Sequence, residues 1–260
     1  MVGAMPVTDP DGANDPDDPD AEARAAAIDF ARSMTGFWEA RLGPRLLGFY
    51  LLGSLAHGGF SRRYSDIDVA VIAEDGLGQD TLEAMGAAAR ALSADLAPKL
   101  SVFWTDRQFS VGRFPPLDRV DYCEHRVALV EREAVVPGRP TVEDIRLYLQ
   151  GATFARWVAN VERLEALDEL TADDHKPCLR AMLYPARFVY SWITGRMGSN
   201  DAAVGLLNEV RPAGLDLGLV ARALQCRHDA ADPDHLFAER NLLPRQIDAC
   251  AGLVAATSPD

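Results

Sequence analysis

Leu52-Gly53-Ser54-Leu55-Ala56-His57-Gly58-Gly59-Phe60-Ser61-Arg62-Arg63-Tyr64-Ser65-Asp66-Ile67-Asp68-Val69 joins an apolar run to an alternating one through a glycine-bearing loop. The run before it, Arg45 to Leu52, is short, aromatic-bearing and ends in glycine, which suits a buried strand. The run that follows, Asp66 to Ala73, alternates: Ile67, Val69 and Val71 face one way, Asp66, Asp68 and Ala70 the other. Gly53 and Ser54 therefore stand at a strand end, where backbone N–H groups and a hydroxyl can approach phosphate oxygens. Asp66 and Asp68, two residues apart on a strand, point the same way and form a clamp for divalent cations. Two cations held about 3.5–4 Å apart stabilise both the attacking and the leaving oxygen of an in-line displacement at phosphorus. A phosphate cradle beside a carboxylate pair is what transfer from a nucleoside triphosphate needs.

Outward from this stretch the chain falls into a leader and two halves. Residues 1–21 hold an acidic cluster and four prolines with little to bury, which predicts a disordered leader. Ala23 to Leu42 reads as a helix, and Gln79 to Leu96 as another, with Leu82, Met85, Ala89, Leu92 and Leu96 on one stripe. Leu100 to Thr105 reads as a third strand and Arg126 to Val130 as a fourth. Pro137-Gly138-Arg139-Pro140 is the strongest linker signal, and every periodic segment after it is helical. Thr141 caps a long amphipathic run whose buried face is Val142, Ile145, Leu149, Ala152 and Val158. A second helix runs from about Pro177 to Thr194 and stops at Gly195, with Pro185 expected to kink or divide it. Shorter helices are expected around Ala202–Val210, Leu217–Arg227 and Pro244–Ala255. The expected architecture is a small α+β domain with a mixed sheet over residues 22–138, then an all-α helical bundle over 139–260.

Composition narrows the class of function. The 260 residues are 48% apolar and 25% charged, the balance of an ordinary globular protein. Net charge is −13, and seven acids (Asp9, Asp11, Asp15, Asp17, Asp18, Asp20 and Glu22) precede the first arginine. An acidic body disfavours general nucleic-acid binding and attracts a cationic small substrate. Cys123, Cys178, Cys226 and Cys250 are scattered, with neither a C-x-x-C pair nor zinc spacing, as in a reduced cytoplasmic protein. No basic region followed by an apolar stretch opens the chain, and its longest apolar run is too short to span a membrane.

Gly53-Ser54, a spacer of eleven residues, then Asp66-x-Asp68 and an apolar residue resembles the signature of the nucleotidyltransferase (DNA polymerase β-like) superfamily. Tyr64-Ser65-Asp66-Ile67-Asp68 looks particularly like its minimal and aminoglycoside-modifying members. Ala186-Arg187-Phe188-Val189-Tyr190-Ser191-Trp192-Ile193-Thr194-Gly195-Arg196 looks like the helix-then-glycine segment of spectinomycin/streptomycin adenylyltransferases. The resemblance spans most of residues 45–255. It implies a helical C-terminal domain against the nucleotidyltransferase domain with substrates bound between them. It also implies ATP as co-substrate, two Mg²⁺ ions, and transfer of AMP to a hydroxyl of a small, aminoglycoside-like acceptor. Asp66 and Asp68 would be the catalytic, metal-holding pair; Gly53, Ser54, Ser65 and Arg187 would bind the nucleotide, with Arg187 on its phosphates. Alternatives are a protein-modifying (AMPylating) enzyme and a catalytically impaired nucleotide-binding or antitoxin-like module.

Two positions depart from the family pattern. Its third-strand carboxylate, a general base or metal ligand, should fall near Ser101, and Asp106 at the strand end is the candidate substitute. The family's basic residue after the glycine corresponds to Asn200, so Arg196 would have to stand in for it. Among other candidates, His57 reads as loop surface, Trp157 and Trp192 as core, and the Arg222…His228 spacing as coincidence on a helix.

Overall fold

The computed structural model describes residues 19–228 and 234–255. The acidic leader expected over residues 1–21 lies almost wholly outside the described residues. The chain divides into two compact units: residues up to Arg113 together with His125–Val135, and Phe114–Glu124 together with Val136 onward.

In the first unit, α1 (Ala21–Ser33) and α2 (Thr35–Leu42) replace the single helix expected over 23–42. The division falls at Met34, whose N–H is shared between the carbonyls of Phe30 and Ala31 at 3.2 and 3.1 Å, the tightening common where one helix gives way to another. Strands β1 (Leu46–Leu51), β2 (Ile67–Ala73), β3 (Leu100–Thr105), β4 (Gly112–Arg113) and β5 (Val127–Glu131) form a mixed sheet in the order β4-β3-β2-β1-β5. Between β1 and β2 lies the one-turn helix α3 (Ser54–His57). The connection from β2 to its parallel neighbour β3 runs through α4 (Gln79–Leu92). Interior β1 is buried along its whole length, paired antiparallel to β2 on one side and β5 on the other. Phe30, Met34 and Trp38 of the first two helices pack with Phe49, Ile67, Val69 and Val71 in one core. Ile67 and Val69 are buried while Asp66 and Asp68 are half-buried, so the alternation read from the sequence is the alternation observed.

The second unit is helical: α5 (Pro116–His125, all but its last residue), α6 (Val142–Gln150), α7 (Thr153–Glu165), α8 (Ala172–Thr194), α9 (Asn200–Val210), α10 (Leu217–His228), α11 (Asp234–Phe237) and α12 (Leu243–Ala255). Thr141 caps α6 as expected: its hydroxyl accepts from the Asp144 N–H at 3.1 Å and its own N–H donates to Asp144 at 2.8 Å. The long run expected to reach Val158 as one helix is instead two, broken at Gly151, whose ψ of −146° leaves helical space. Conversely, α8 is one 23-residue helix although Pro177 and Pro185 lie inside it. Cys178, Leu179, Met182, Leu183, Ala186, Val189 and Trp192 are all buried along it. Burial over that length offsets the hydrogen bonds the two prolines cannot make. The helix ends where expected, at Gly195, whose φ of +65° suits a residue without a side chain. A Cβ there would also lie 2.6 Å from Val142 Cγ2.

Candidate active site

The strand end after β1 carries the first half of the site. Gly53 adopts φ 60° and ψ −148°, outside the space open to ordinary L-residues. A Cβ on it would lie 2.4 Å from Asp68 Oδ2. Only glycine lets the turn come this close to that carboxylate, and the Leu52 N–H donates to the Asp68 carbonyl at 2.9 Å just before it. The Gly-Ser turn and the Asp-x-Asp strand are thus one packed unit, although eleven residues separate Ser54 from Asp66.

Ser65 joins the pieces. Its hydroxyl accepts from the Ser61 N–H at 2.9 Å and from the Ser54 hydroxyl at 3.1 Å, and its own N–H donates to the Ser61 carbonyl at 2.8 Å. It is only 4% exposed. A hydroxyl held this way orients Ser54 and pins the 58–64 loop. Asp66 follows directly, just ahead of β2, and Asp68 lies in β2; both are half-buried. Asp68 stands in register with Ser101 on parallel β3. Residues paired across parallel strands present their side chains to the same face, about 5 Å apart. The position expected to hold a third carboxylate is therefore beside Asp68, and it carries a hydroxyl.

Asp106, at the end of β3, is engaged within its own loop. It accepts from the Ser110 N–H at 2.7 Å, the Ser110 hydroxyl at 2.5 Å and the Val111 N–H at 3.3 Å. The Ser110 hydroxyl, foremost, holds its pKa below the usual carboxylate value. This is a turn-organising aspartate with its oxygens committed to the 106–111 loop. His57 also departs from expectation. It closes α3 half-buried, both ring nitrogens enclosed, with its ring edge-to-face against His125 at 5.5 Å.

Arg187 lies on α8 in the helical unit. It donates to the Gly198 carbonyl at 2.9 Å, and its guanidinium carbon sits 5.1 Å from the centre of the Tyr184 ring. Arg196 is engaged with Glu124 at 3.4 Å, and Asn200 is buried at 7% exposure. Arg222 pairs with Glu239 and His228 with Asp201, so those two residues serve different partners. Trp157 and Trp192 are buried, as a core reading expects. The sequence analysis passed over Arg180, whose guanidinium carbon lies 5.7 Å from the same Tyr184 ring as that of Arg187; the i, i+4, i+7 spacing of Arg180, Tyr184 and Arg187 was the available signal.

A cleft of 360 Å³ in the sheet unit, lined in part by Arg41, Arg45, Gly78 and Thr81, contains none of these residues. Its arginines pair with Asp80 and Asp75. Among the described residues no group of three or more His, Cys, Asp or Glu is placed to hold a metal, and no helix is long and apolar enough to cross a membrane.

A mixed sheet that seats a strand–Gly-Ser turn against an Asp-x-Asp strand, in a chain with a separate helical unit, is an α+β architecture. Among the solved structures it resembles in fold is spectinomycin adenyltransferase AAD(9) from Enterococcus faecialis, crystallised with ATP and spectinomycin. The TM-score is 0.62 at 12% identity, over 86% of this chain and 99% of that one. No family model matches the chain, and no curated protein matches it in sequence.

Proposed function

We propose that the protein is a metal-dependent nucleotidyltransferase that moves AMP from ATP onto a hydroxyl of a small cationic acceptor of aminoglycoside type. The observation that carries this reading is the seating of Gly53 against the Asp68 carboxylate, two residues after Asp66. It places an open glycine backbone, a hydroxyl and two carboxylates in one small region.

The donor set fits Mg²⁺. Two carboxylates are hard oxygen ligands, and this ion commonly takes one or two from protein and the remainder from phosphates and water. Asp66 and Asp68 would hold it, and the bound ion would neutralise charge developing on the transferred phosphoryl group. Gly53 and Ser54 bind phosphate oxygens, Ser65 keeps Ser54 aimed, and Arg187 supplies a guanidinium from the helical unit. Ser101 is not a base near neutral pH, so the acceptor's proton leaves to water or to the acceptor's own amines. The net charge of −13 favours a cationic acceptor. The division into a nucleotidyltransferase half and a helical half is part of this proposal, as is a cytoplasmic location.

Ser101 beside Asp68 favours a second reading: a nucleotide-binding module in which transfer is slow or lost. ATP labelled in its α-phosphate, incubated with Mg²⁺, the full chain and either aminoglycosides or a lysate, separates the readings. Label on the small molecule supports the first, and label on protein an AMPylating enzyme. Nucleotide binding with no label transferred supports the module.

A further inference from the structure

A lysine ties the segment between the Gly-Ser turn and the Asp-x-Asp strand to the start of β3. Lys99 closes the short 3₁₀ turn Ala97–Lys99 that leads into β3, and its Nζ donates to the Arg62 carbonyl. Strands β2 and β3 run parallel, with Ile67 opposite Leu100 and Asp68 opposite Ser101. Lys99 therefore stands at the same end of the sheet as Asp66, which lies just ahead of β2. The carbonyl it holds belongs to the loop that leads into Asp66, four residues earlier in the chain.

That loop has a pliant start and a fixed end. Gly58 and Gly59 take φ of +90° and +74°, a region glycine enters without strain, so the chain can pivot there. Beyond them Ser61, Tyr64 and Ser65 are buried, whereas Arg62 and Arg63 are exposed. Ser65 fixes the buried side through the Ser61 N–H and the Ser54 hydroxyl. Lys99 fixes the exposed side, at Arg62, from a neighbouring strand. An ammonium is a compact charge with three donors, and its hydrogen bonds are stronger than those between neutral groups. Lys99 is half-buried, so less water competes for them than at an open surface.

We propose that Lys99 is a positioning residue for nucleotide binding. Through the Arg62 carbonyl it holds residues 58–64 against the start of β3, which keeps Ser65, and with it Ser54, in place. The proposal rests on the nucleotidyltransferase reading for the identity of the ligand, a nucleoside triphosphate with Mg²⁺, and adds a residue from outside the Gly-Ser and Asp-x-Asp motifs.

The test compares Lys99→Met, which keeps the reach of the side chain and removes its charge and donors, with wild type and Lys99→Arg. Digestion of the full chain with an arginine-specific protease, read by mass spectrometry, reports cleavage after Arg62 and Arg63, sites that none of these variants alters. Cleavage that is slow relative to closing tracks how often the loop opens. Lys99→Met should raise it by about tenfold or more, the weight of one charge-assisted hydrogen bond. Calorimetric titration with ATP and Mg²⁺ should show binding weaker by about the same factor. In the transfer assay, KM for ATP should rise while kcat stays nearly unchanged. Lys99→Arg keeps the charge and should restore most of both losses. A side chain that only supports the fold would instead lower the melting temperature and the yield of active protein, with KM unmoved. Should Lys99→Met fail to fold, Lys99→Gln decides the matter through the same measurements. Wild-type cleavage in Lys99→Met overturns the proposal, as does faster cleavage with unchanged affinity for ATP. Failure of the nucleotidyltransferase reading looks different. Wild type then neither binds ATP nor transfers label, and the cleavage difference alone upholds or overturns the tie between Lys99 and the loop.

Discussion

Gly53→Ala is the sharpest probe of the seam between the Gly-Ser turn and the Asp-x-Asp strand. The backbone at Gly53, φ 60° and ψ −148°, lies where an alanine is strained by about 1–3 kcal/mol. The new Cβ would also stand 2.4 Å from Asp68 Oδ2 and 3.1 Å from both Cβ and Cγ of that residue. The first contact is with the end of a side chain, so the carboxylate can swing aside at modest cost to stability. The backbone strain has no such escape. At roughly 2–4 °C per kcal/mol for a chain of this size, melting should fall by about 2–12 °C. Transfer of labelled AMP should fall far more, because the displaced carboxylate is half of the proposed metal pair. In an Asp68→Ala background, Gly53→Ala should cost less than in wild type but still cost something, since removing the carboxylate relieves the clash and leaves the strain. Circular-dichroism melts of the four chains and one transfer assay measure both effects. Wild-type melting together with wild-type transfer in Gly53→Ala would falsify the claim that this glycine is pressed against Asp68.

Asp66→Asn and Asp68→Asn should each abolish label transfer while leaving the melting profile near that of wild type; full activity in either variant ends the metal-pair reading. Ser101→Glu, in register with Asp68, should raise the transfer rate, with general-base assistance typically contributing about 10²–10⁴-fold. Asp106→Asn, by contrast, should lower thermal stability through the 106–111 loop and leave the rate nearly unchanged, so a strong rate loss there would return the base to Asp106. Hydrogen bonds from Thr171, then Arg163, hold the Asp174 pKa down to about 2 from 3.8. A carboxylate depressed on folding contributes stability that is fully present above 3.8 and is lost as pH falls towards 2. The stability gap between wild type and Asp174→Asn should therefore shrink across that window, and a gap independent of pH would contradict it.

The readings that survived depend on short-range periodicity. The two-residue period of Asp66 to Ala73 puts both aspartates opposite Ile67 and Val69 wherever the strand sits in a sheet. Thr141 and Gly195 act within a turn of their own helices, so cap and stop were visible in the linear order. Readings that failed were those in which distant contacts outweigh a local preference. Gly151 broke a run whose apolar periodicity continued to Val158, while burial along α8 carried the helix through two prolines. The hydrogen bonds that Asp106 accepts from Ser110 and Val111 were not legible either, because they depend on how the next five residues turn.

By itself the sequence determined β1, β2, β3 and β5 and the helices from α8 to α10 and α12 in their order along the chain, the alternation that carries Asp66 and Asp68, and the glycine-serine turn that precedes them. Only the tertiary structure decided that Gly53 abuts Asp68, that Ser101 is the residue beside it, and that Ser65 ties Ser54 to the intervening loop. It alone set Arg187 of α8 against the Gly198 carbonyl. The physical reason is range: backbone periodicity and capping act over a few residues, whereas strand register and helix packing are set by burying apolar surface between segments far apart in the chain.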